Sequence, residues 1–233
     1  MNNSSSTVIG DNNSFDDSPN VGSTNSSVTI NGSQSSISLE NSTSTVIGDN
    51  NSFDGTELSD AADSLLGQSN IKIRMLGGND FLEVAGGSNY VNGNMGEDTI
   101  VLRGGFGEYL GGKDSDTIEV FAAEEGTSVN GNLGEAYITG TVAGVIYRGG
   151  KENDLLAVSQ GNVWGDKGAD TFRALAGDGY AVIQDYTVGE DFVEIEVDGS
   201  WSNVGDGMMF TDDSGDKLML LLGINDVEQV TLV

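Results

Sequence analysis

Apolar residues recur along the middle of the chain at a fixed pitch. Leu82, Ile100, Ile118, Ile138, Leu156 and Phe172 are separated by 18, 18, 20, 18 and 16 residues. A second apolar series, Val91, Tyr109, Val129, Tyr147 and Val163, runs between them, each member nine residues before one of the first. The unit is therefore nine residues, and two units make a coil of about eighteen. Each unit predicts a short strand that points one side chain inward. No unit can bury its apolar face alone, so the units must stack. The pattern predicts an all-β solenoid over 71–175.

The polar residues between the apolar ones follow the same phase. Gly93-Asn94-Met95-Gly96-Glu97-Asp98-Thr99-Ile100 is followed by Gly111-Gly112-Lys113-Asp114-Ser115-Asp116-Thr117-Ile118. Then come Gly131-Asn132-Leu133-Gly134-Glu135-Ala136-Tyr137-Ile138, Gly149-Gly150-Lys151-Glu152-Asn153-Asp154-Leu155-Leu156 and Gly165-Asp166-Lys167-Gly168-Ala169-Asp170-Thr171-Phe172. A decayed first copy ends in Asp80-Phe81-Leu82. Glycine permits positive φ in a tight turn and leaves backbone carbonyls exposed at close range. A glycine-rich turn ending in Asp thus offers carbonyl and carboxylate oxygens together, the hard ligands that calcium takes. Stacked coils bring Asp80, Asp98, Asp116, Asp154 and Asp170 into one edge. Carboxylates about 4.8 Å apart repel by roughly 3.5 kcal/mol per neighbouring pair at an effective dielectric of 20. Without cations such a ladder opposes its own folding.

This arrangement resembles the RTX, or haemolysin-type, calcium-binding repeat G-G-x-G-x-D-x-U-x, which forms a parallel β-roll. The resemblance implies a calcium-folded protein. The ligands it implies are the carboxylates of Asp80, Asp98, Asp114, Asp116, Asp154 and Asp170, with oxygens from Gly93, Met95, Gly111, Lys113, Gly149, Lys151, Gly165 and Lys167. It also implies export by a type I system that reads an uncleaved C-terminal signal, with disorder in a low-calcium cytosol and folding outside. Three departures from the pattern carry expectations. Ala136 replaces the ladder Asp in the coil stretched to 20 residues, which predicts a missing or altered ion there. Asp114 and Glu152 replace the fourth glycine, either as added ligands or as solvated groups. The opposite edge reads Gly86-Gly87-Ser88-Asn89, Gly104-Gly105-Phe106-Gly107, Glu125-Gly126-Thr127 and Ala143-Gly144 and lacks the ladder Asp, so the calcium column is expected on one side only.

The flanks differ. Residues 1–55 are rich in Ser, Asn, Thr, Gly and Asp, a composition typical of a disordered linker. Yet Ser6–Asp16 recurs identically as Ser44–Asp54, 38 residues later, and Val28, Ile37 and Val46 fall nine apart. The segment reads as a calcium-poor solenoid arm, with a flexible leader as the alternative. Thr56–Leu66 carries an apolar stripe of Leu58, Ala61, Ala62, Leu65 and Leu66 behind a possible N-cap at Thr56, and predicts one short helix, the junction spanning 56–70. Ile71–Met75 alternates like a strand entering the roll. From 176 to 233 the strands lengthen, with a hairpin turn at 215–217 and the phrase Ile183-Gln-Asp185-Tyr186-Thr-Val-Gly189-Glu-Asp191-Phe-Val193. This resembles the region following the repeats in RTX proteins and is expected to form a C-terminal β cap, with Trp201, Met208, Met209 and Phe210 in its core.

Composition narrows the function. Lys+Arg 9 against Asp+Glu 37 gives a net charge of −28, which leaves no electrostatic footing for nucleic acid and suits divalent cations. The 35 glycines are about twice the ordinary share. Cys is absent, so calcium is the expected stabiliser in place of disulfides. His is absent too, which removes Ser-His-Asp triads, Cys-His pairs and H-E-x-x-H zinc sites, and no enzyme is expected. No Lys or Arg precedes Lys72 and no apolar h-region is present, so no Sec-type signal is read. The longest apolar run, Leu218–Leu222, is too short to span a bilayer. The expectation is a secreted or cell-surface calcium-binding structural protein. It would self-assemble head to tail into a filament, surface layer or matrix, with the type I machinery as its other partner. An RTX adhesin or ice-binding stalk, or the accessory module of a secreted enzyme, is the alternative.

Overall fold

The computed structural model describes residues 72–75 and 77–233 throughout, and the backbone of seven strands before them. The chain winds as a parallel β-solenoid. A thirteen-stranded sheet and an eight-stranded sheet face each other, and successive strands alternate between them. On the first sheet Ser88–Met95, Phe106–Lys113, Ser128–Leu133, Ile146–Lys151, Gly161–Lys167 and Ala181–Ile183 lie side by side. On the second, Phe81–Val84, Thr99–Arg103, Thr117–Ala122, Tyr137–Gly140, Leu155–Val158, Thr171–Ala174 and Phe192–Glu194 do the same.

Register follows the apolar pitch. Val91, Tyr109, Val129, Tyr147, Val163 and Ile183 are partners in one column. Leu82, Ile100, Ile118, Ile138, Leu156, Phe172 and Val193 form the facing column. All are 0–1 % exposed. A one-residue slip would turn a whole column outward, so burial itself pins the pairing. The two tyrosines need room and a polar partner. Tyr109 Oη accepts from Asn89 Nδ2 at 2.9 Å. Tyr147 lies where the strand opposite has Gly140; a Cβ there would strike the ring.

Coil length varies without disturbing this register. The 20-residue coil keeps Ile118 opposite Ile138 and Tyr109 opposite Val129. Its extra residues sit on the edge away from the Asp ladder, where the pairing shifts between Leu102 and Arg103 and Arg103 meets Ala122. The 16-residue coil takes up its shortening on that same edge, ahead of Gly161, where φ is 121°.

Among the described residues, seven strands lie before residue 72. Ser14–Asp16, Ser36–Ser38 and Ser52–Asp54 continue the thirteen-stranded sheet. Ser5–Ile9, Ser26–Asn31 and Ser42–Ile47 form a separate parallel sheet. The turns of the expected arm, and residues 56–63 of the expected helix, lie outside the described residues. The last part of that helix is not helical: Ser64–Gly67 is a strand, with Leu65 opposite Leu82. Local helix propensity is worth a few tenths of a kcal/mol per residue, and adding a strand to an open sheet edge outweighs it. Lys72–Arg74 is a strand, as the alternation predicts.

The C-terminal region closes the coil stack. Lys217–Leu222 pairs parallel with Ala181–Ile183, then Gly207–Asp212 and Gly199–Asn203 add antiparallel strands. The hairpin turn over 212–216 is tied by Asp212, whose Oδ1 accepts from Asp216 N at 2.8 Å. Met208, Met209 and Phe210 are 3–5 % exposed, and the Trp201 and Phe210 rings meet edge to face at 5.3 Å. On the other sheet, Val193 N donates to Thr231 O and Val233 N to Val193 O, so the C-terminus covers the last strand. A single 3-10 turn, Val227–Gln229, is the helical element among the described residues.

Candidate metal centre

Each coil makes its turn with two residues of positive φ. In the second position these are Asn94 (74°), Gly112 (130°), Asn132 (74°), Gly150 (119°) and Asp166 (71°). In the fourth they are Gly96 (112°), Asp114 (73°), Gly134 (112°), Glu152 (69°) and Gly168 (139°). This is the physical content of the Gly-Gly-x-Gly spacing: only Gly, and at some cost Asn or Asp, enters that region readily. Asp114 and Glu152 are exposed, and both reach back one coil. Asp114 Oδ2 accepts from Gly96 N at 3.1 Å, and Glu152 Oε2 from Gly134 N at 2.9 Å. They serve as turn-to-turn hydrogen-bond acceptors.

The turns deliver Asp80, Asp98, Asp116, Asp154 and Asp170 to one edge, each 1–2 % exposed. Asp98, Asp116, Asp154 and Asp170 each accept the backbone N–H of the preceding rung through Oδ1. Asp80 N donates to Asp98 at 2.8 Å, Asp98 N to Asp116 at 2.9 Å, Ala136 N to Asp154 at 2.8 Å and Asp154 N to Asp170 at 2.9 Å. Asp98, Asp116 and Asp154 each hold the second oxygen, Oδ2, buried with no hydrogen-bond donor. The first-position glycines explain where it goes. A Cβ at Gly93 would collide with Asp98 Oδ2 and with the carbonyl of Gly111 in the next coil. One at Gly149 would meet Asp154 Oδ2 and, at 2.7 Å, the carbonyl of Gly165. At Gly111 and Gly165 it would meet Oδ2 of Asp116 and of Asp170. Carboxylate oxygen and glycine carbonyl oxygen thus crowd one spot between successive coils, and neither can donate a proton.

Burial raises these carboxyl groups far above their usual range. Asp98 and Asp154 reach about 8, Asp116 about 7 and Asp170 about 6. Desolvation is the largest cause in each. The backbone N–H bond opposes it, and neighbouring carboxylates add to the rise. At neutral pH such a group needs a proton or a cation on its bare oxygen.

The residues fit a hard divalent ion. Among the described residues no three acidic side chains converge on one point; the edge offers one carboxylate per coil. An ion held here would draw its remaining oxygens from backbone, and the glycine carbonyls of Gly111 and Gly165 stand beside the bare carboxylate oxygens. Calcium tolerates such a mixed, irregular oxygen set. The other third-position residues expected to contribute are placed in the same turns: Lys113, Lys151 and Lys167 point their side chains to solvent, and Met95 lends its carbonyl to Gly78 N at 3.1 Å. On the opposite edge the buried polar residues are Asn89, Thr127 and Ser159; among the described residues no buried carboxylate stands there.

Two acids beyond the repeats extend the ladder edge at the end of the stack. Asp191 is 3 % exposed, and its Oδ1 accepts from Asp170 N at 3.0 Å, making it the next rung. Its Oδ2 accepts from Thr187 N at 2.7 Å, so this rung is satisfied by backbone alone. The signal was present: Asp191-Phe192-Val193 repeats the Asp-x-apolar phrase, hidden by a spacing of 21 from Asp170. Asp185 closes the turn beside it, accepting from Gly165 N and Asp166 N, both at 3.0 Å.

Fold and edge together define a parallel β-solenoid carrying one buried carboxylate in nearly every coil along a single edge. No family model and no curated protein matches the chain. Among solved structures it is similar to the crystal structure of the extracellular lipase LipA from Serratia marcescens. That match has 15% sequence identity and a TM-score of 0.24, and covers 89% of this chain and 45% of that one. The chain spans less than half of that lipase's length, and at this TM-score the likeness carries no inference. No helix among the described residues is long and apolar enough to cross a membrane.

Proposed function

We propose that this chain is an RTX-like, calcium-folded structural protein acting outside the cell or at its surface. The bare, buried Oδ2 atoms of Asp98, Asp116 and Asp154 carry the reading, those of Asp98 and Asp154 lying beside the carbonyls of Gly111 and Gly165. Calcium supplies the positive charge that these acceptors lack, and the energy of its binding becomes energy of folding. The chain's own part is to hold the carboxylates in register. The glycine turns let each carboxylate approach the backbone of the turn, and the backbone N–H bonds to Oδ1 orient Asp98, Asp116, Asp154 and Asp170. Export before folding, by a type I system, suits a ladder that low cytosolic calcium leaves uncompensated. Far-ultraviolet circular dichroism in calcium and in excess EGTA tests this. The β signal should weaken and its thermal midpoint fall in chelator at neutral pH, and both should recover with calcium; an unchanged signal and midpoint overturn it.

The self-assembly reading is supported by the two ends of the solenoid. The C-terminal end is covered by added strands and by the terminal residues 231–233. Among the described residues, the first strand in the order of the thirteen-stranded sheet is the three-residue Ser14–Asp16. Open strand edges recruit other chains, and a head-to-tail contact that does not close builds a filament. Electron microscopy and light scattering at millimolar calcium and high protein concentration test it; a monodisperse monomer refutes assembly while leaving calcium-dependent folding intact. Catalysis has no place in this reading, because the chain has neither His nor Cys and its buried acids serve the ladder.

A further inference from the structure

The rung-to-rung hydrogen bonds are not continuous. They run from Asp80 N to Asp98 and from Asp98 N to Asp116. They resume from Ala136 N to Asp154, then through Asp170 to Asp191. Ala136 donates its own N–H but has no carboxylate to offer Asp116. Its methyl group takes the place of the carboxylate: a Cβ at Gly131 would meet Ala136 Cβ at 2.5 Å, where the other first-position glycines meet an Asp Oδ2. Asp116 and Asp154 are thus two coils apart, about 10 Å. That is twice the spacing within the ladder. It halves the direct Coulomb coupling and exceeds the screening length of physiological salt, about 8 Å.

A second irregularity falls on the same coil. The extra residues of the 20-residue coil lie on the far edge, where the strand pairing shifts at Arg103 and Ala122. The C-terminal segment, by contrast, ends on a rung that needs no ion. Asp191 has both oxygens satisfied by backbone N–H groups, and the Tyr186 hydroxyl bonds Asp191 O at 3.0 Å and accepts from Thr231 N at 2.9 Å.

We propose that the edge holds two separate calcium columns, one on Asp80, Asp98 and Asp116 and one on Asp154 and Asp170, closed by Asp191, with the Ala136 turn binding no ion between them. The columns load independently. The inference rests on the calcium reading and says how that metal is distributed. In a solenoid each coil interacts only with its neighbours, so one coil without a buried ladder carboxylate is enough to break the electrostatic coupling while the apolar columns stay continuous.

The test uses the full chain and calcium alone. Both tryptophans, Trp164 and Trp201, lie beyond the break, so their fluorescence reports the second column, whereas circular dichroism reports both. In the wild type, Asp98→Asn should remove part of the calcium-induced dichroism and move the fluorescence midpoint by less than threefold. Asp154→Asn should move that midpoint by threefold or more. Ala136→Asp should couple the columns, so that Asp98→Asn in that background does shift the fluorescence midpoint by threefold or more. A shift of threefold or more from Asp98→Asn alone overturns the proposal, and this comparison decides the matter even if Ala136→Asp does not fold. Loss of any calcium response in the wild type would instead overturn the calcium reading beneath it.

Discussion

Replacing Asp98 by Asn should have opposite effects with and without calcium. Asn is isosteric. Its amide oxygen can still accept the Asp80 N–H that Asp98 Oδ1 accepts at 2.8 Å. Its NH2 then faces the Gly111 carbonyl, which stands beside the bare oxygen in the native turn. The native carboxyl group has its pKa raised from 3.8 to about 8 by burial. Because the folded value exceeds the unfolded one, the folded state binds the extra proton. Stability is therefore intact at low pH and lost as pH rises from about 4 to about 8. At pH 7.4, metal-free, the loss is up to about 5 kcal/mol at 1.36 kcal/mol per pH unit, and relaxation around the site brings it nearer to about 2–3 kcal/mol. Asp98→Asn has no such loss. Urea unfolding in EGTA should show the variant more stable than wild type by about 2–3 kcal/mol at pH 7.4, with the gain vanishing near pH 4. In millimolar calcium the order should invert, because an amide oxygen is a weaker, uncharged ligand. A variant less stable than wild type in EGTA at pH 7.4, or a gain that persists unchanged at pH 4, would refute the reasoning.

Other expectations follow from the same geometry. Metal-free wild type should melt higher at pH 5 than at pH 8.5, since Asp98, Asp116 and Asp154 all sit at about 7–8 in the fold; saturating calcium should abolish or reverse that slope in a calorimetric scan. Asp191→Ala should cost about 2–4 kcal/mol in calcium and in chelator alike, because it strands the N–H groups of Asp170 and Thr187; a loss confined to the calcium-bound form would make Asp191 a metal ligand. Gly140→Ala should cost about 1–3 kcal/mol by driving a methyl group into the Tyr147 ring, and Tyr147→Leu in that background should recover part of the loss in a denaturant titration.

The solenoid was legible because its two apolar series keep their phase whatever the coil length. Leu82 to Phe172 predict the inward column, and burial allows them no other register. The ladder was legible for the same reason, as Asp precedes each of these apolar residues except Ile138 by two. What escaped the sequence was set by contacts between distant coils. Asp191 lies beyond a turn of irregular length, so spacing concealed a rung that the Asp-x-apolar phrase announced. Thr56 to Leu66 has a helical stripe, yet Ser64–Gly67 is recruited by the sheet edge at Phe81–Val84. The fourth-position acids Asp114 and Glu152 looked like ligands or solvent-facing groups. Only their approach to Gly96 N and Gly134 N reveals a cross-coil acceptor role.

Between Leu82 and Phe172 the far edge absorbs the changes of coil length, from 16 to 20 residues, while the apolar columns keep their partners. That margin is therefore the part of the molecule where new loops can be grafted. A peptide spliced between Ala123 and Gly126 would project from the side without touching the carboxylate rungs, and the scaffold could display foreign segments at intervals set by its own winding.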